Sequence, residues 1–167
     1  MRAAANALAA FRALATLPIF WAVTHQEHGI AFLWFAAAAL SDLADGWFAR
    51  RTRPSALGAL LDPLADKILV AGTALALAVA RSIPMELAAL LIAREGIVAA
   101  ARLAAFRART HHPAERLGKV KTAVQLAALA LTVAAHPLAP AHGPAVALLW
   151  VAALIGIATM PRYRFRG

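Results

Sequence analysis

Three observations predict an all-α membrane protein, a bundle of six transmembrane helices. The chain is 62% hydrophobic with a mean hydropathy of +0.69, more apolar side chain than a soluble domain of 167 residues can bury. Six apolar stretches follow one another, each about 17–24 residues, enough at ~1.5 Å per residue to cross a hydrocarbon core of ~30 Å. Lys and Arg gather at alternate breaks between those stretches. No break is long enough to form a second domain and no internal repeat is visible, so residues 1–167 read as one membrane domain.

Taken in order, the first span covers about 7–24. Met1-Arg2 before an apolar run could pass for a signal peptide, but Arg12 interrupts the run and its length exceeds that of an apolar signal region, so an uncleaved span is expected. A turn at His25-Gln26-Glu27-His28-Gly29 leads to the second span, about 29–50. Arg53-Pro54-Ser55 precedes the third, about 57–80, and Ser82-Ile83-Pro84 separates it from the fourth, about 84–106. The fifth covers about 119–135. A polar break from His136-Pro137 to His142-Gly143-Pro144 then precedes the sixth, about 143–160.

The cations set the orientation. With the amino terminus in the cytoplasm, twelve Lys and Arg fall at inside ends and loops, Arg81 alone falls outside, and Arg12, Lys67, Arg94 and Arg102 lie within spans. Both termini are then cytoplasmic, in a cytoplasmic (inner) membrane. The net charge of +9 faces anionic headgroups and requires no nucleic acid. The absence of cysteine excludes disulfides, thiolate metal sites and a cysteine nucleophile.

Four aspartates stand inside this apolar sequence: Asp42, Asp45, Asp62 and Asp66. An ionised carboxylate in a bilayer costs roughly 2.5–3.5 kcal/mol, so four cost on the order of 10 kcal/mol unless something neutralises them. At 100° per residue, Asp42, Asp45, Gly46 and Ala49 share an arc of about 100°, and Gly58, Asp62 and Asp66 one of about 80°. Each helix therefore carries a narrow acidic stripe beside small residues. Counting at ~1.5 Å per residue from the cytoplasmic ends, Asp45 is level with Asp62 at roughly 8–9 Å, and Asp42 with Asp66 at roughly 13–14 Å. Such a cluster suits two hard divalent cations about 3.5–4 Å apart, the clamp used in phosphoryl transfer. Two other uses of the acids compete with it. Arg50, Lys67 and Arg94 could pin them structurally, or they could line a cation or proton pathway, although no acid continues past the midplane.

Asp42-x-x-Asp45-Gly46-x-x-Ala49-Arg50 followed by Gly58-x-x-x-Asp62-x-x-x-Asp66 resembles the signature of the CDP-alcohol phosphatidyltransferases. Seven residues separate Arg50 from Gly58 where that signature usually has eight, which shortens the interhelical turn and leaves both stripes intact. Asn6-Ala7-Leu8 through Arg12 and Pro18 resembles the family's first span. Leu61 to Lys67, Arg94-Glu95 with Arg102, and Gly118 to Thr122 with Gln125 resemble the branch that makes phosphatidylglycerol phosphate.

The resemblance implies a membrane enzyme that moves a phosphatidyl group from CDP-diacylglycerol to glycerol 3-phosphate and releases CMP. It implies Mg²⁺ or Mn²⁺, two ions held by Asp42, Asp45, Asp62 and Asp66, with Asp66 as general base toward the acceptor hydroxyl. Gly46, Ala49, Arg50 and Gly58 would bind the CDP moiety, and a homodimer is implied. Arg94, Arg102, Lys119 and Lys121 are the candidates for the acceptor's phosphate. Lys119 and Lys121 could instead anchor headgroups, and Arg94 could instead pair with Glu95 or an aspartate. The same chemistry could serve inositol phosphate, serine or phosphatidylglycerol as acceptor. The six histidines are expected outside the spans without catalytic or metal roles. Trp21, Trp34 and Trp47 read as interfacial anchors and Trp150 as a packing residue, while Gly72 and Ala76 form a small-residue pair suited to close helix contact.

Overall fold

The computed structural model describes residues 2–49, 56–107, 116–135 and 138–158; at 2–6, 42–49, 56–63, 102, 105–107 and 116–121 it describes the helical path alone. Six helices and no strand occur among the described residues: α1 (Arg2–Thr24), α2 (His28–Ala49), α3 (Ala56–Val79), α4 (Met85–Arg107), α5 (Arg116–Ala134) and α6 (His142–Ala158). The bounds meet the expected spans within a residue or two except at two starts. Helix α1 begins at Arg2 and α5 at Arg116, because Ala3-Ala4-Ala5 and Leu117 continue the helix where apolar periodicity alone gave no reason to. His28 and His142, expected in loops, are the first residues of α2 and α6.

Two turns end in the same device without the glycine that usually supplies it. Glu27 N–H donates to Ala22 O at 2.8 Å and Gln26 N–H to Val23 O at 3.2 Å, with Gln26 left-handed at φ 65°. Ser82 N–H donates to Leu77 O at 2.8 Å and Arg81 N–H to Ala78 O at 3.0 Å, with Arg81 at φ 58°. Both patterns cap the last carbonyls of a helix and reverse the chain at once.

Helix α1 makes the most extensive contacts, against α3 and then α2; α3 also packs on α4, and α5 on α6. Helix α5 touches both α2 and α3 as well. The α1–α3 crossing is close because Gly72 has no side chain: a Cβ there would lie 2.1 Å from Thr16 Cγ2.

The core mixes many alanines with large side chains, while many other large side chains face out. Ala15, Ala22, Ala31, Ala38, Ala74 and Ala88 are buried with Ile19, Phe35, Leu69, Leu77 and Leu91. Leu17 and Leu33 are each 68% exposed, and Leu14, Leu40, Ile97 and Leu154 are also exposed. A soluble bundle would be expected to bury more of these large side chains. By length and composition, Ala7–Thr24 is the one segment among the described residues that could cross a membrane by itself. His28–Ser41, Thr122–Ala134 and His142–Ala158 are apolar but shorter. Charged residues within α3 and α4 interrupt the long apolar windows expected there.

Candidate functional site

The acidic signature falls on helix throughout its two halves. Asp42, Asp45, Gly46 and Ala49 occupy the last turns of α2, and Gly58, Asp62 and Asp66 the first turns of α3. The helical spacing that places each set on one stripe is therefore present. Arg50 and the turn after it lie outside the described residues. So do the side chains of Asp42, Asp45, Ala49, Asp62, Arg102, Lys119 and Lys121, and nothing is described at Gly46 or Gly58 beyond the helix. Asp66 is described and half-buried. Among the described residues the principal neighbours of α2 are α1 and α5, and those of α3 are α1, α4 and α5. The two acidic helices thus share α1 and α5 as common walls.

A charged cluster sits beside Asp66. Lys67, the next residue on α3, donates from Nζ to Glu95 Oε2 at 2.7 Å. Glu95 Oε1 accepts from Arg94 Nη1 and from Gln125 Nε2, the latter at 3.2 Å. One carboxylate therefore ties α3, α4 and α5 together. Arg94, Glu95 and Gln125 are all buried, and the Lys67 side chain is 11% exposed. Charged hydrogen bonds in such surroundings are strong, and breaking one partner out is costly. Of the alternatives open for Arg94, the pair with Glu95 is present. It leaves one donor over, since Arg94 Nε is buried without a hydrogen-bond partner among the described residues.

A second polar contact links α1 and α2. Arg12 is fully buried, and its Nε donates to Ser41 Oγ at 3.4 Å, which in turn donates to Ala38 O at 2.7 Å. Ser41 immediately precedes Asp42. Counted along their helices at ~1.5 Å per residue, Arg12, Ser41, Lys67, Glu95 and Gln125 all lie roughly 12–18 Å from the helix ends at 2, 49, 56, 107 and 116. By that count they fall at similar depths, a polar layer made of two separate sets of contacts, one joining α1 and α2 and the other α3, α4 and α5.

Glu95 as a hub, Lys67 and Gln125 as its partners, and Arg12 as the contact to Ser41 are not deducible from spacing. Their signal in the sequence is that each is polar within an apolar helix, and all but Ser41 lie in stretches that carry the family resemblance. At the opposite end the histidines are structural: His28 Nδ1–H donates to Val133 O at 3.2 Å and His142 Nε2–H to Ser82 O at 2.7 Å. Trp21 is exposed and stacks on His25 at 4.6 Å between ring centroids, Trp34 lies 6.2 Å from Phe11, and Trp150 packs against the core. The side chain of Trp47 lies outside the described residues.

Comparison with known proteins adds the chemistry. Residues 2–158 match the family described as CDP-alcohol phosphatidyltransferase. The chain is 36% identical over 156 residues to the CDP-diacylglycerol--glycerol-3-phosphate 3-phosphatidyltransferase of Salmonella typhimurium, covering 88% of this chain and 80% of that protein. It is 35% identical over 147 residues to the probable phosphatidylglycerophosphate synthase of Mycobacterium tuberculosis, covering 86% and 69%. It is also 34% identical over 147 residues to the human cardiolipin synthase (CMP-forming), covering 77% of this chain and 49% of that one.

Proposed function

The chain belongs to the CDP-alcohol phosphatidyltransferase family and is an enzyme of that class, and on that premise we propose that it transfers the phosphatidyl group of CDP-diacylglycerol to glycerol 3-phosphate, forming phosphatidylglycerol phosphate and CMP. Membership of that class decides against the ion-pathway alternative. The observation that carries the proposal is the helical register of Asp42, Asp45, Asp62 and Asp66, on two helices that share α1 and α5 as neighbours.

The donor set is all carboxylate, which suits hard divalent ions. Asp42, Asp45, Asp62 and Asp66 would hold two of them, Mg²⁺ or Mn²⁺, which when bound would supply positive charge to the pyrophosphate and the departing CMP. Asp66 takes the proton of the acceptor hydroxyl as its oxygen attacks the lipid-bearing phosphorus, and the bond from that phosphorus to the CMP oxygen breaks. Gly46, Ala49 and Gly58 leave room for the nucleotide against the helix faces, and Arg50 contacts its phosphates. Arg94, with Arg102, Lys119 and Lys121, receives the acceptor's phosphate; the buried Nε–H of Arg94, without a partner among the described residues, supports this role.

The outward large side chains and inward alanines support a single integral membrane domain over residues 1–167, since lipid can solvate the exposed leucines. The cation distribution supports an inner-membrane placement with both termini and the site facing the cytoplasm. The family resemblance supports a homodimer. Phosphatidylglycerol is the second acceptor to weigh, favoured by the similarity to the human cardiolipin synthase.

The test is CMP release by the purified protein from CDP-diacylglycerol, offered glycerol 3-phosphate, phosphatidylglycerol, inositol phosphate or serine, with and without Mg²⁺ or Mn²⁺. Release is expected with glycerol 3-phosphate and a divalent ion together. Release with phosphatidylglycerol but not glycerol 3-phosphate reassigns the acceptor, and no release with any of the four defeats the proposal.

A further inference from the structure

The acceptor reading above rests on cations; the structure also shows what holds one of them. Arg94 reaches Glu95 through Nη1, while its Nε is buried and without a partner among the described residues. A guanidinium has five N–H donors in a fixed plane, so anchoring one end sets the direction of the rest. Glu95 can act as that anchor because it is itself fixed from two other helices, by Lys67 of α3 and Gln125 of α5. Its single negative charge is shared with Lys67, so it orients Arg94 without fully neutralising it.

We propose that Glu95 is a positioning residue that aims the Arg94 guanidinium at the anionic group of the acceptor, a phosphate monoester, with Lys67 and Gln125 holding the carboxylate in place. The inference deepens the acceptor assignment and rests on it. Glu95 touches no substrate. Its replacement by glutamine has a definite consequence: one carboxylate oxygen becomes an NH₂ group that must face either Lys67 or the donors of Arg94 and Gln125. If it faces Arg94 and Gln125, donor meets donor and the anchor of Arg94 is lost; if it faces Lys67, the bond that fixes the side chain from α3 is lost and the anchor is loosened.

The experiment measures thermal unfolding midpoints of the full chain in detergent, titrated with glycerol 3-phosphate, inorganic phosphate, or CDP plus Mg²⁺. The wild type is expected to respond to all three. In Glu95→Gln the glycerol 3-phosphate and phosphate responses should need about tenfold more ligand, the size of one charged hydrogen bond, with the CDP response unchanged. Gln125→Leu, which keeps every charge, should shift the same two responses by about threefold. A phosphate response in Glu95→Gln as strong as or stronger than the wild type's overturns the proposal, because loss of a negative charge by itself only favours an anion. Equal weakening toward CDP also overturns it, as the mark of a merely structural role. If Glu95→Gln shows no cooperative unfolding, Gln125→Leu decides by the same two criteria. A wild type that binds phosphate in this Glu95-dependent way yet releases no CMP would defeat the proposed activity and leave this inference standing. A wild type that releases CMP but shows no response to either phosphate ligand would do the reverse.

Discussion

At the end of the bundle that holds the turns after α1 and α3, the chain closes on backbone hydrogen bonds and two histidines, whereas at the level of Glu95 it closes on charges from two helices and an amide from a third. The turns at that end are local, but its histidines reach carbonyls 105 and 60 residues away. Gln26 and Arg81 cap their own helices, and His28 and His142 each cover one carbonyl. The polar layer is a different case. An arginine, a glutamate and a glutamine are buried together there beside a partly buried lysine, a combination that stability alone does not favour. The turn end is held mainly by backbone carbonyls, and the polar layer, where we place the acceptor's phosphate, by side chains from separate helices.

Substitutions can break or sharpen that contrast. The largest effect is expected at Asp66. Asp66→Asn keeps the shape of the side chain but removes the base, and CMP release should fall by about 10²–10⁴-fold. CDP-lipid binding should fall much less than in Asp42→Asn; an equal loss of binding would leave metal holding as the whole role of Asp66 and remove the case for proton transfer by it.

Next comes the α1–α3 crossing, which belongs to neither end. Gly72→Ala places a methyl group 2.1 Å from Thr16 Cγ2 and should destabilise the fold by about 1–3 kcal/mol, read as a lower unfolding midpoint. Thr16→Ala in the same chain removes the clashing methyl and should restore most of that stability, a coupling that two independent sites would not show.

At the turn end, His142→Ala removes the hydrogen bond to Ser82 O and should cost about 1 kcal/mol, with the KM for both substrates unchanged. The smallest effect carries the opposite sign. Gln26→Gly relieves a left-handed backbone, offset by the greater freedom of glycine in the unfolded chain, for a net gain of about 0.5 kcal/mol. A change in substrate KM in either turn variant would show that the two ends are coupled.

Much of the fold was legible because helix is a local property. The six apolar stretches located α1 to α6, and the spacing of Asp42, Asp45, Asp62 and Asp66 placed them on helical stripes before any neighbour was known. The misjudged features were local as well but lacked a cue. Arg2 and Arg116 start helices without a hydrophobic signal, and Gln26 and Arg81 do the work of a glycine without being one.

The site divides along the same line. The sequence by itself determined which helices carry the carboxylates, their order and their register, since 3.6 residues per turn is set by the backbone. Tertiary structure decided the company they keep. Glu95 meets Lys67 and Gln125 across 28 and 30 residues, Arg12 meets Ser41 across 29, and α1 and α5 both pack against the two acidic helices. A residue's period along its own helix says which way it faces, but its partner depends on which helix has packed there, and that is settled only when small residues such as Gly72 let particular helices approach.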